Sequence, residues 1–408
     1  MSSAPLPPPS EPPLPARGSA WEVLLVFLKL GLTSFGGPVA HLGYFRTEFV
    51  ERRRWLSDAA YTDLVALCQF LPGPASSQVG MALGLRRAGG PGALAAWAGF
   101  TLPSALALVL LALGLAQGSA WTGSGAVHGL KVVTVAVVAQ AVWGMARALC
   151  PDRLRAGIAL GATLGVLALP TAWGQVGAIV LGGLIARLAL QLPPLPAASH
   201  EAVGIGRRTG AALLALFVGL LVALPWLGAV SSNPALGAMG VFYNAGALVF
   251  GGGHVVLPLL QAGVVPPGWV SNEVFLAGYG AAQAVPGPLF SFAAFLGAAM
   301  PAPWGGWSGG LAMLVLVFLP GFLVLAGALP FWEALRQRAG VQRAMAGVHA
   351  AVVGVLGAAL YDPVWTSAIH TRADFGLALA AFGLLVVARW SPVWVVGLAA
   401  MAGWAWAA

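Results

Sequence analysis

The chain is a succession of long apolar runs separated by short polar segments. The runs cover residues 19–43, 59–85, 92–117, 125–147, 155–170, 172–190, 210–229, 236–260, 273–299, 307–332, 342–361, 374–389 and 392–407. About 20 apolar residues in a helix span the hydrocarbon core of a bilayer. A lipid-exposed segment must also satisfy its backbone hydrogen bonds internally, which helices do. The pattern therefore predicts an all-α polytopic membrane protein.

Composition supports this prediction and excludes the soluble classes. Of 408 residues, 59% are hydrophobic and only 8% are charged, whereas soluble domains carry about 25% charged residues. The formal net charge is +8, but the arginines stand in short loops between apolar runs, as positive-inside topology requires. The predicted partner is therefore the lipid bilayer, and no nucleic acid is expected.

The two halves of the chain repeat each other. Phe35-Gly36-Gly37 recurs as Phe250-Gly251-Gly252, at an offset of 215 residues. Pro72-Gly73-Pro74 recurs as Pro286-Gly287-Pro288 at an offset of 214. The same offset of 214 joins three further pairs, Trp55 with Trp269, Gln69 with Gln283, and Ser77 with Ser291. Such an ordered set of rare residues predicts an internal duplication.

Loop charge predicts that the halves face opposite sides of the membrane. The loop before residue 59 holds Arg46 and an arginine triplet at 52–54, while the matching segment 261–272 holds no Lys or Arg. One hairpin later the bias reverses, because 118–127 has no basic residue and its counterpart contains Arg336, Arg338 and Arg343. Basic loops are cytoplasmic, so the repeats are predicted to be inverted, an architecture of secondary transporters.

The predicted organisation follows from these boundaries. Residues 1–18 are proline-rich without a signal-peptide pattern and are predicted to be a disordered cytoplasmic tail. Residues 19–190 form the first repeat and 234–408 the second, inverted repeat. Residues 191–230 supply a linker and one unpaired transmembrane helix, the extra crossing that inversion requires.

The run 59–85 is predicted to be a re-entrant hairpin. Arginines flank it on both sides, up to Arg54 before it and Arg86-Arg87 after it. Its centre is Pro72-Gly73-Pro74, and proline removes a backbone donor and disfavours helix in the preceding residue. Each half-helix of about 13 residues is roughly 20 Å long, short of a core of about 30 Å. Pro286-Gly287-Pro288 predicts the mirror hairpin. Whether 19–43 and 236–260, broken at Gly-Gly, span or turn back is left open.

Broken helices offer anion-binding chemistry. A half-helix that starts inside the membrane presents free N–H groups and a positive dipole end. The alternative is that the breaks are kinks that only permit packing. The candidate substrate-binding residues at the four breaks are Gly36, Gly37, Pro72, Gly73, Pro74, Ser76, Ser77, Gly251, Gly252, Pro286, Gly287, Pro288 and Ser291.

Four polar side chains inside apolar runs complete the candidate binding set. Gln69 and Gln283 lie three residues before their turns and either donate to an oxyanion or tie helices together. Lys131 and its counterpart His349 are ionisable residues within predicted spans, where such residues are functional by default. The alternatives are snorkelling for Lys131 and a satisfied polar core for His349.

A second set is assigned to access or coupling. His41 and Arg46 follow the first glycine turn, and His254 lies near the second. Asp63, in the first half-helix, either relays a proton or pairs with an arginine. No phosphate loop, zinc spacing or catalytic set occurs, so no enzyme, metal or cofactor is predicted.

The motifs around both glycine turns resemble the chromate ion transporter family, in its long two-domain bacterial form. The resemblance rests on the segment from Phe35 to His41, the arginines at 46, 53 and 54, and the Leu71-Pro72-Gly73-Pro74 block. It implies export of chromate across the inner membrane and chromate resistance, with sulfate as the chemical analogue. The alternative is an uptake carrier or channel for sulfate or another anion. Proton coupling and a homodimer are left open.

The second half departs from this pattern. Gly253 replaces Pro38, and no arginine stands at the positions of Arg46 and Arg53. Functional roles at the two breaks are therefore not expected to be symmetric.

Overall fold

The computed structural model describes residues 18–35, 37–117, 125–192, 205–231, 233–250 and 253–407. Every regular element within these residues is helical, which agrees with the predicted all-α class. In chain order the helices are α1 (Ala20–Thr33), α2 (Gly37–Phe45), α3 (Asp58–Phe70), α4 (Ala75–Gln117), α5 (Gly125–Leu149), α6 (Arg153–Ala168), α7 (Ala172–Ala189), α8 (Arg207–Val230), α9 (Pro234–Ala247), α10 (Val256–Val264), α11 (Asn272–Ala284), α12 (Phe292–Ala299), α13 (Gly306–Ala328), α14 (Trp332–Arg336), α15 (Ala339–Ala359), α16 (Thr366–Ala368), α17 (Arg372–Val386) and α18 (Pro392–Ala407).

Short 3₁₀ and π-helical turns extend several of these helices. A π-helical turn continues α2, and another joins α15 to α16. Three 3₁₀ turns precede α10, α12 and α14. Their bounds, in chain order, are Arg46–Arg52, Gly253–Val255, Leu289–Ser291, Leu329–Phe331 and Leu360–Trp365.

Five helical segments of the described residues are long and apolar enough to cross a membrane. They are Ala75–Leu115, Gly125–Leu149, Arg207–Val230, Gly306–Phe331 and Ala339–Ala368. The protein is therefore a multi-pass membrane protein. Most of the N-terminal tail predicted at 1–18 and most of the polar linker predicted at 191–208 lie outside the described residues.

Both Pro-Gly-Pro motifs interrupt helices, as predicted. In the first, α3 ends at Phe70 and α4 begins at Ala75. In the second, α11 ends at Ala284 and a 3₁₀ turn begins at Leu289. The central glycines have φ values of 115° and 103°, which L-residues with a side chain rarely adopt. Because α4 is broken again at Ala88 and Gly89, its first part is a short half-helix.

Both hairpins of the first half turn back on themselves. The Arg87 guanidinium, at the end of the first α4 segment, lies 5.1 Å from the ring centroid of Trp55, which precedes α3. Arg53, after the π-helical turn that continues α2, lies 3.8 Å from Glu22 at the start of α1. The segment 19–43, whose path the sequence left open, therefore belongs to a hairpin whose ends meet.

The second half contains the matching pair of hairpins. A Cβ placed on Gly237, near the start of α9, would lie 3.7 Å from the ring of Trp269, beyond α10. Near the end of α10, Gly263 packs against Val241 of α9. In the next hairpin, Gly278 of α11 packs against Phe295 of α12. The segment 236–260 therefore turns back too.

Charged residues clamp the ends of the first pair of hairpins. Glu48 accepts hydrogen bonds from Arg52 and Arg53, each at 2.7 Å, and Glu22 pairs with Arg87 at 3.1 Å. Burial alone would raise the pKa of the Glu48 carboxyl, but the Arg53 hydrogen bond and the neighbouring positive charges lower that pKa below its ordinary value. Arg53 and Arg87, which the sequence predicts to be cytoplasmic, therefore also hold the hairpins closed through Glu22.

The two halves are joined by a reciprocal pair of backbone hydrogen bonds. The Gly73 N–H donates to the Val249 carbonyl at 2.7 Å, and the Gly287 N–H donates to the Ser34 carbonyl at 3.0 Å. Ser34 and Val249 are 215 residues apart and the glycines 214 apart, which are the offsets of the duplication. Each Pro-Gly-Pro turn therefore meets the Phe-Gly-Gly segment of the other half.

The contacts of the two turns with long helices are reciprocal in the same way. A Cβ on Gly73 would lie 3.1 Å from the Cα of Gly321 on α13. A Cβ on Gly287 would lie 3.0 Å from the hydroxyl of Ser104 on α4. Ser104 and Gly321 are counterparts at an offset of 217. Each turn is therefore enclosed by a loop and a long helix of the opposite half.

One contact has the same geometry in both halves but different charge. Arg46 Nε donates to Asp58 at 2.7 Å in the first half, and Gln261 Nε2 donates to Asn272 at 2.7 Å in the second. Gln261 and Asn272 are the counterparts of Arg46 and Asp58. An ion pair in one half is thus replaced by an amide pair in the other.

Replacing Gly73 with alanine should destabilise the protein. The new Cβ would meet α13, and the backbone angle suits only glycine, so we expect a loss of about 1–3 kcal/mol. Thermal unfolding in detergent measures this loss. Gly144→Ala is the matched control, because that helical glycine has open space around it. Equal melting temperatures for the two variants would show that the turn does not need glycine.

Cysteine labelling tests the predicted sidedness of the hairpins. In a background lacking Cys68 and Cys150, we expect Thr47→Cys and Gly90→Cys to react with an impermeant maleimide only from the cytoplasm. We expect Pro267→Cys and Ser308→Cys to react only from outside. Labelling of the first two positions from opposite faces would instead mean that the intervening segment crosses the membrane.

Candidate functional site

A small cavity lies where the turns of the two halves meet. Its volume is about 80 Å³, which is room for a small polyatomic ion. Four pairs of duplicated positions line it, together with Leu42, Gln69 and His349. The pairs are Pro38 with Gly253, Pro74 with Pro288, Ala75 with Leu289, and Ser76 with Phe290.

Two helical N-terminal turns open onto this cavity. The half-helix α4 starts at Ala75, and the 3₁₀ turn before α12 starts at Leu289. The first N–H groups of a helix have no intrahelical acceptor and attract negative charge. The Gly73 and Gly287 amides are already bound to the other half. These glycines therefore position the turns, and the free donors follow each Pro-Gly-Pro.

Several buried polar atoms near the turns have no hydrogen-bond partner among the described residues. Four belong to residues that the sequence singled out: Ser77 Oγ, Gln283 Nε2, His349 Nε2 and His41 Nε2. Leaving such an atom unpaired costs about 1–3 kcal/mol, so a native site normally supplies water or a ligand. Three more were not singled out, namely Ser34 Oγ, Gln78 Oε1 and Thr101 Oγ1.

Two of the missed residues had a sequence signal. Ser34 directly precedes Phe35-Gly36-Gly37, and Gln78 directly follows Ser77. Gln78 Nε2 donates to the carbonyls of Pro72 at 2.8 Å and Gly321 at 3.2 Å. The Gln78 amide therefore ties the turn to the other half and leaves its own oxygen unpaired.

His41 is a buried residue behind the cavity wall. Its ring is 1% exposed and lies 3.5 Å from the hydroxyl of Ser76, measured from Nδ1. The ring also reaches the Ser34 carbonyl and packs edge-on against Phe100, with centroids 5.1 Å apart. His41 thus links the first glycine turn to the first half-helix.

Polar side chains of the second half form a chain beside Gly253. His254 Nδ1 lies 2.7 Å from the hydroxyl of Tyr279. One helical turn further along α11, Gln283 stands next to the same hydroxyl. Because valines occupy the first-half positions of His254 and Tyr279, this chain of polar side chains is not duplicated.

The two intramembrane ionisable counterparts have different surroundings. His349 of α15 lines the cavity, and its ring reaches the backbone carbonyl of Gln69. The Gln69 side chain also lines the cavity but is exposed rather than buried. Lys131 is half-buried on α5 and does not line the cavity. Its neighbour Leu130 contacts Gly280 of α11 through its backbone carbonyl.

The remaining candidates lie away from the cavity or engage other groups. Arg46 is half-exposed and pairs with Asp58 and Glu51, each at 2.7 Å. Asp63 is half-buried on α3. The Ser291 hydroxyl donates to the Pro288 carbonyl at 2.7 Å. Gly37 is described, with φ of 77° and open space around it, whereas Gly36, Gly251 and Gly252 lie outside the described residues.

The arrangement suits an anion on chemical grounds. The described cavity lining contains amide, hydroxyl and imidazole groups and no carboxylate. Free N–H groups at two helical N-terminal turns add positive potential to it. A negatively charged guest could exchange its water shell for these donors.

Comparison with known proteins gives the family. A family model described as "Chromate transporter" matches residues 21–188 and again 236–404. The two matches start 215 residues apart, which is the offset of the Phe-Gly-Gly motifs.

Three curated relatives are similar over most of their length. The chromate transport protein of Pseudomonas aeruginosa is 32% identical over 373 residues, covering 87% of this chain and 82% of that protein. The chromate transport protein of Cupriavidus metallidurans is 29% identical over 361 residues, covering 83% and 81%. The probable chromate transport protein of Synechococcus elongatus is 28% identical over 344 residues, covering 82% of each chain. No solved structure matches this chain significantly. With two copies of the family model covering most of its length, the chain belongs to the chromate transporter family.

Proposed function

We propose that the protein is a secondary transporter that exports chromate across the bacterial inner membrane and thereby confers chromate resistance. One observation carries the proposal. The reciprocal hydrogen bonds of Gly73 and Gly287 bring the start of one half-helix from each half to a single cavity. Binding at the meeting point of two repeats is how inverted-repeat transporters hold their substrate.

Chromate fits the chemistry of this cavity. It is a tetrahedral dianion, so it needs several donors from different directions. The amides after each Pro-Gly-Pro, the Ser76 hydroxyl and the Gln69 side chain can supply them at the cavity. Ser77 Oγ and Gln283 Nε2, which do not line the cavity but are unpaired among the described residues, are the proposed additional donors. Pro72, Gly73, Pro74, Pro286, Gly287, Pro288 and Ser291 shape the two turns, and Gly36, Gly37, Gly251 and Gly252 would allow close backbone approach. Lys131, from α5, would offset anion charge.

Transport also requires access from each side in turn. The cavity is bounded by two equivalent contacts, Gly73 to Val249 and Gly287 to Ser34. In the proposed cycle one contact opens while the other stays closed, so that the anion is exposed to one face at a time. Arg46, on the cytoplasmic surface by the predicted topology, is the proposed entry residue, and it would have to release Asp58 and Glu51 to meet the anion.

Three histidines around the cavity, of which His41 is buried and His254 and His349 are half-buried, support proton coupling. His349 lines the cavity, His41 lies behind Ser76, and His254 follows Gly253. Imidazole is the side chain that changes charge near neutral pH. Asp63 is a further candidate for proton relay. Both sides of the cavity come from one chain, so a homodimer stays a prediction that transport does not require.

Sulfate is the chemical alternative because it has the same charge and shape as chromate. The same donors would bind it, and an uptake carrier or channel for sulfate would use the same cavity. Chromate flux into proteoliposomes, measured with sulfate as competitor and with an imposed pH gradient, separates these functions. Chromate flux driven by the gradient supports the proposal. Sulfate flux that chromate does not inhibit contradicts it.

Alanine at Gln69, Gln283 or Ser77 should reduce chromate transport without preventing membrane insertion. Each change removes a donor worth about 1.4 kcal/mol, so we expect roughly a tenfold lower flux per molecule at low substrate. Gln140→Ala is the control, because that glutamine lies on α5, outside both Pro-Gly-Pro turns and the half-helices that flank them. Wild-type flux in all three variants would show that these side chains do not bind the anion and that the hairpins have a purely structural role.

Replacing His349 with glutamine should weaken the response to a pH gradient. Glutamine keeps a polar group facing the cavity but cannot gain a proton. We expect the ratio of flux with and without the gradient to fall toward one. His370→Gln, an exposed histidine, should keep the wild-type ratio. An unchanged ratio in His349→Gln would exclude this residue from coupling.

A further inference from the structure

A second, larger cavity lies apart from the central one. Its volume is about 300 Å³, and none of its lining residues also lines the central cavity. It is formed where the ends of α6, α10 and α15 meet the starts of α7 and α11. By the predicted topology this is the outer face of the protein. Its polar lining residues are Gln175, Gln261, Asn272 and Asp362.

The hydrogen bonds in this outer pocket leave oxygen atoms available. Gln261 Nε2 donates to Asn272 Oδ1 at 2.7 Å, and Asn272 Nδ2 donates to Ser367 Oγ at 2.6 Å. Gln261 and Asn272 therefore both donate through their amide nitrogens, and no hydrogen bond within this pair uses the Gln261 Oε1 atom. Gln175 is 6% exposed, and its Oε1 has no hydrogen-bond partner among the described residues.

A carboxylate completes the set of oxygen atoms. Asp362 lines the same pocket, and Thr366 Oγ1 lies 3.3 Å from its Oδ1. No Lys, Arg or His belongs to the described lining of the pocket. The pocket thus combines one negative charge with amide oxygens and contains no positive charge of its own.

The first half shows what this pocket lacks. There the counterpart of Gln261 is Arg46, whose guanidinium binds both Asp58 and Glu51 at 2.7 Å. A basic side chain on the outer face would oppose positive-inside topology. In the second half the arginine is replaced by Gln261 and its partner Asp58 by Asn272, while a carboxylate from a different element, Asp362, faces the pocket. The pocket therefore has a negative charge without the basic side chain that neutralises the carboxylates of the first half.

We propose that the outer pocket binds a small monovalent cation of the Na⁺ class. Side-chain amide and carboxylate oxygens are ligands for hard cations. The single carboxylate favours a monovalent ion, since protein sites for Ca²⁺ use several charged ligands. The remaining volume holds the water molecules that complete the ion's shell.

The outer pocket is linked to the central cavity through α15. Asp362 lies in the π-helical turn that continues α15, and α15 also carries His349. A bound cation would draw Gln175 of α7, Gln261 of α10 and this turn together. It would therefore hold the outer end of the helix whose middle lines the central cavity.

Thermal unfolding in detergent tests the site. Na⁺ or K⁺ replaces N-methyl-D-glucamine at constant ionic strength, and no chromate is present. We expect a saturable rise in melting temperature with the wild-type protein. Asp362→Asn and Gln175→Leu should weaken the apparent affinity about tenfold or more, since ligand charge and number set cation affinity. Asp152→Asn, which removes a carboxylate at the start of α6 outside the pocket, should keep the wild-type response.

Equal melting temperatures of the wild type in all three salts would overturn the proposal. So would a full cation response in Asp362→Asn and Gln175→Leu together. If Asp362→Asn fails to fold, Gln175→Leu and calorimetric titration of the wild type with NaCl decide the outcome. Because this assay measures binding without transport, its failure leaves the proposed chromate export standing. Absence of chromate flux would likewise leave the cation site standing.

Discussion

Two backbone hydrogen bonds, from Gly73 to Val249 and from Gly287 to Ser34, hold the centre of this protein together. Inside a membrane an unpaired backbone group costs several kcal/mol, so a broken helix persists only where something else pairs its ends. Here each half supplies the partner for the break of the other. The breaks are therefore stable only as a pair, and the cavity between them exists only when both halves are present.

This mutual dependence explains why glycine and proline occur where they do. Proline ends the first half-helix, and the following glycine turns its N–H toward the other half at an angle that other residues rarely adopt. Gly321 and Ser104 are small enough to let the turns approach α13 and α4 closely. The geometry is duplicated, but the chemistry is adapted to each face. Arg46 with Asp58 becomes Gln261 with Asn272, which agrees with the predicted topology, because basic residues favour the cytoplasmic side.

Much of this architecture was readable from the sequence, and the reasons are physical. Pro-Gly-Pro cannot continue a helix, so both breaks could be placed, and arginines on both sides of 59–85 indicated a return. The pairing of the breaks was not readable, because a hydrogen bond between Gly73 and Val249 depends on how the halves pack. For the same reason the sequence does not indicate that Asp58, twelve residues away, binds Arg46. The return of 19–43 had a signal in Glu22 and Arg53, but opposite charges alone do not indicate which arginine pairs with which acid.

The small size of the central cavity limits how it can work. At about 80 Å³ it has room for a single small anion, and in the proposed cycle the surrounding turns separate to let that anion pass. The two joining hydrogen bonds are equivalent under the duplication, so neither is intrinsically the gate. Any difference between the two faces in anion affinity or in coupling must therefore come from residues that the duplication does not share. These are the His254–Tyr279 pair, His349 in place of Lys131, and the charged surface around Glu48. The gradients across the membrane set the net direction of flux, and these asymmetric groups determine how each face responds to them.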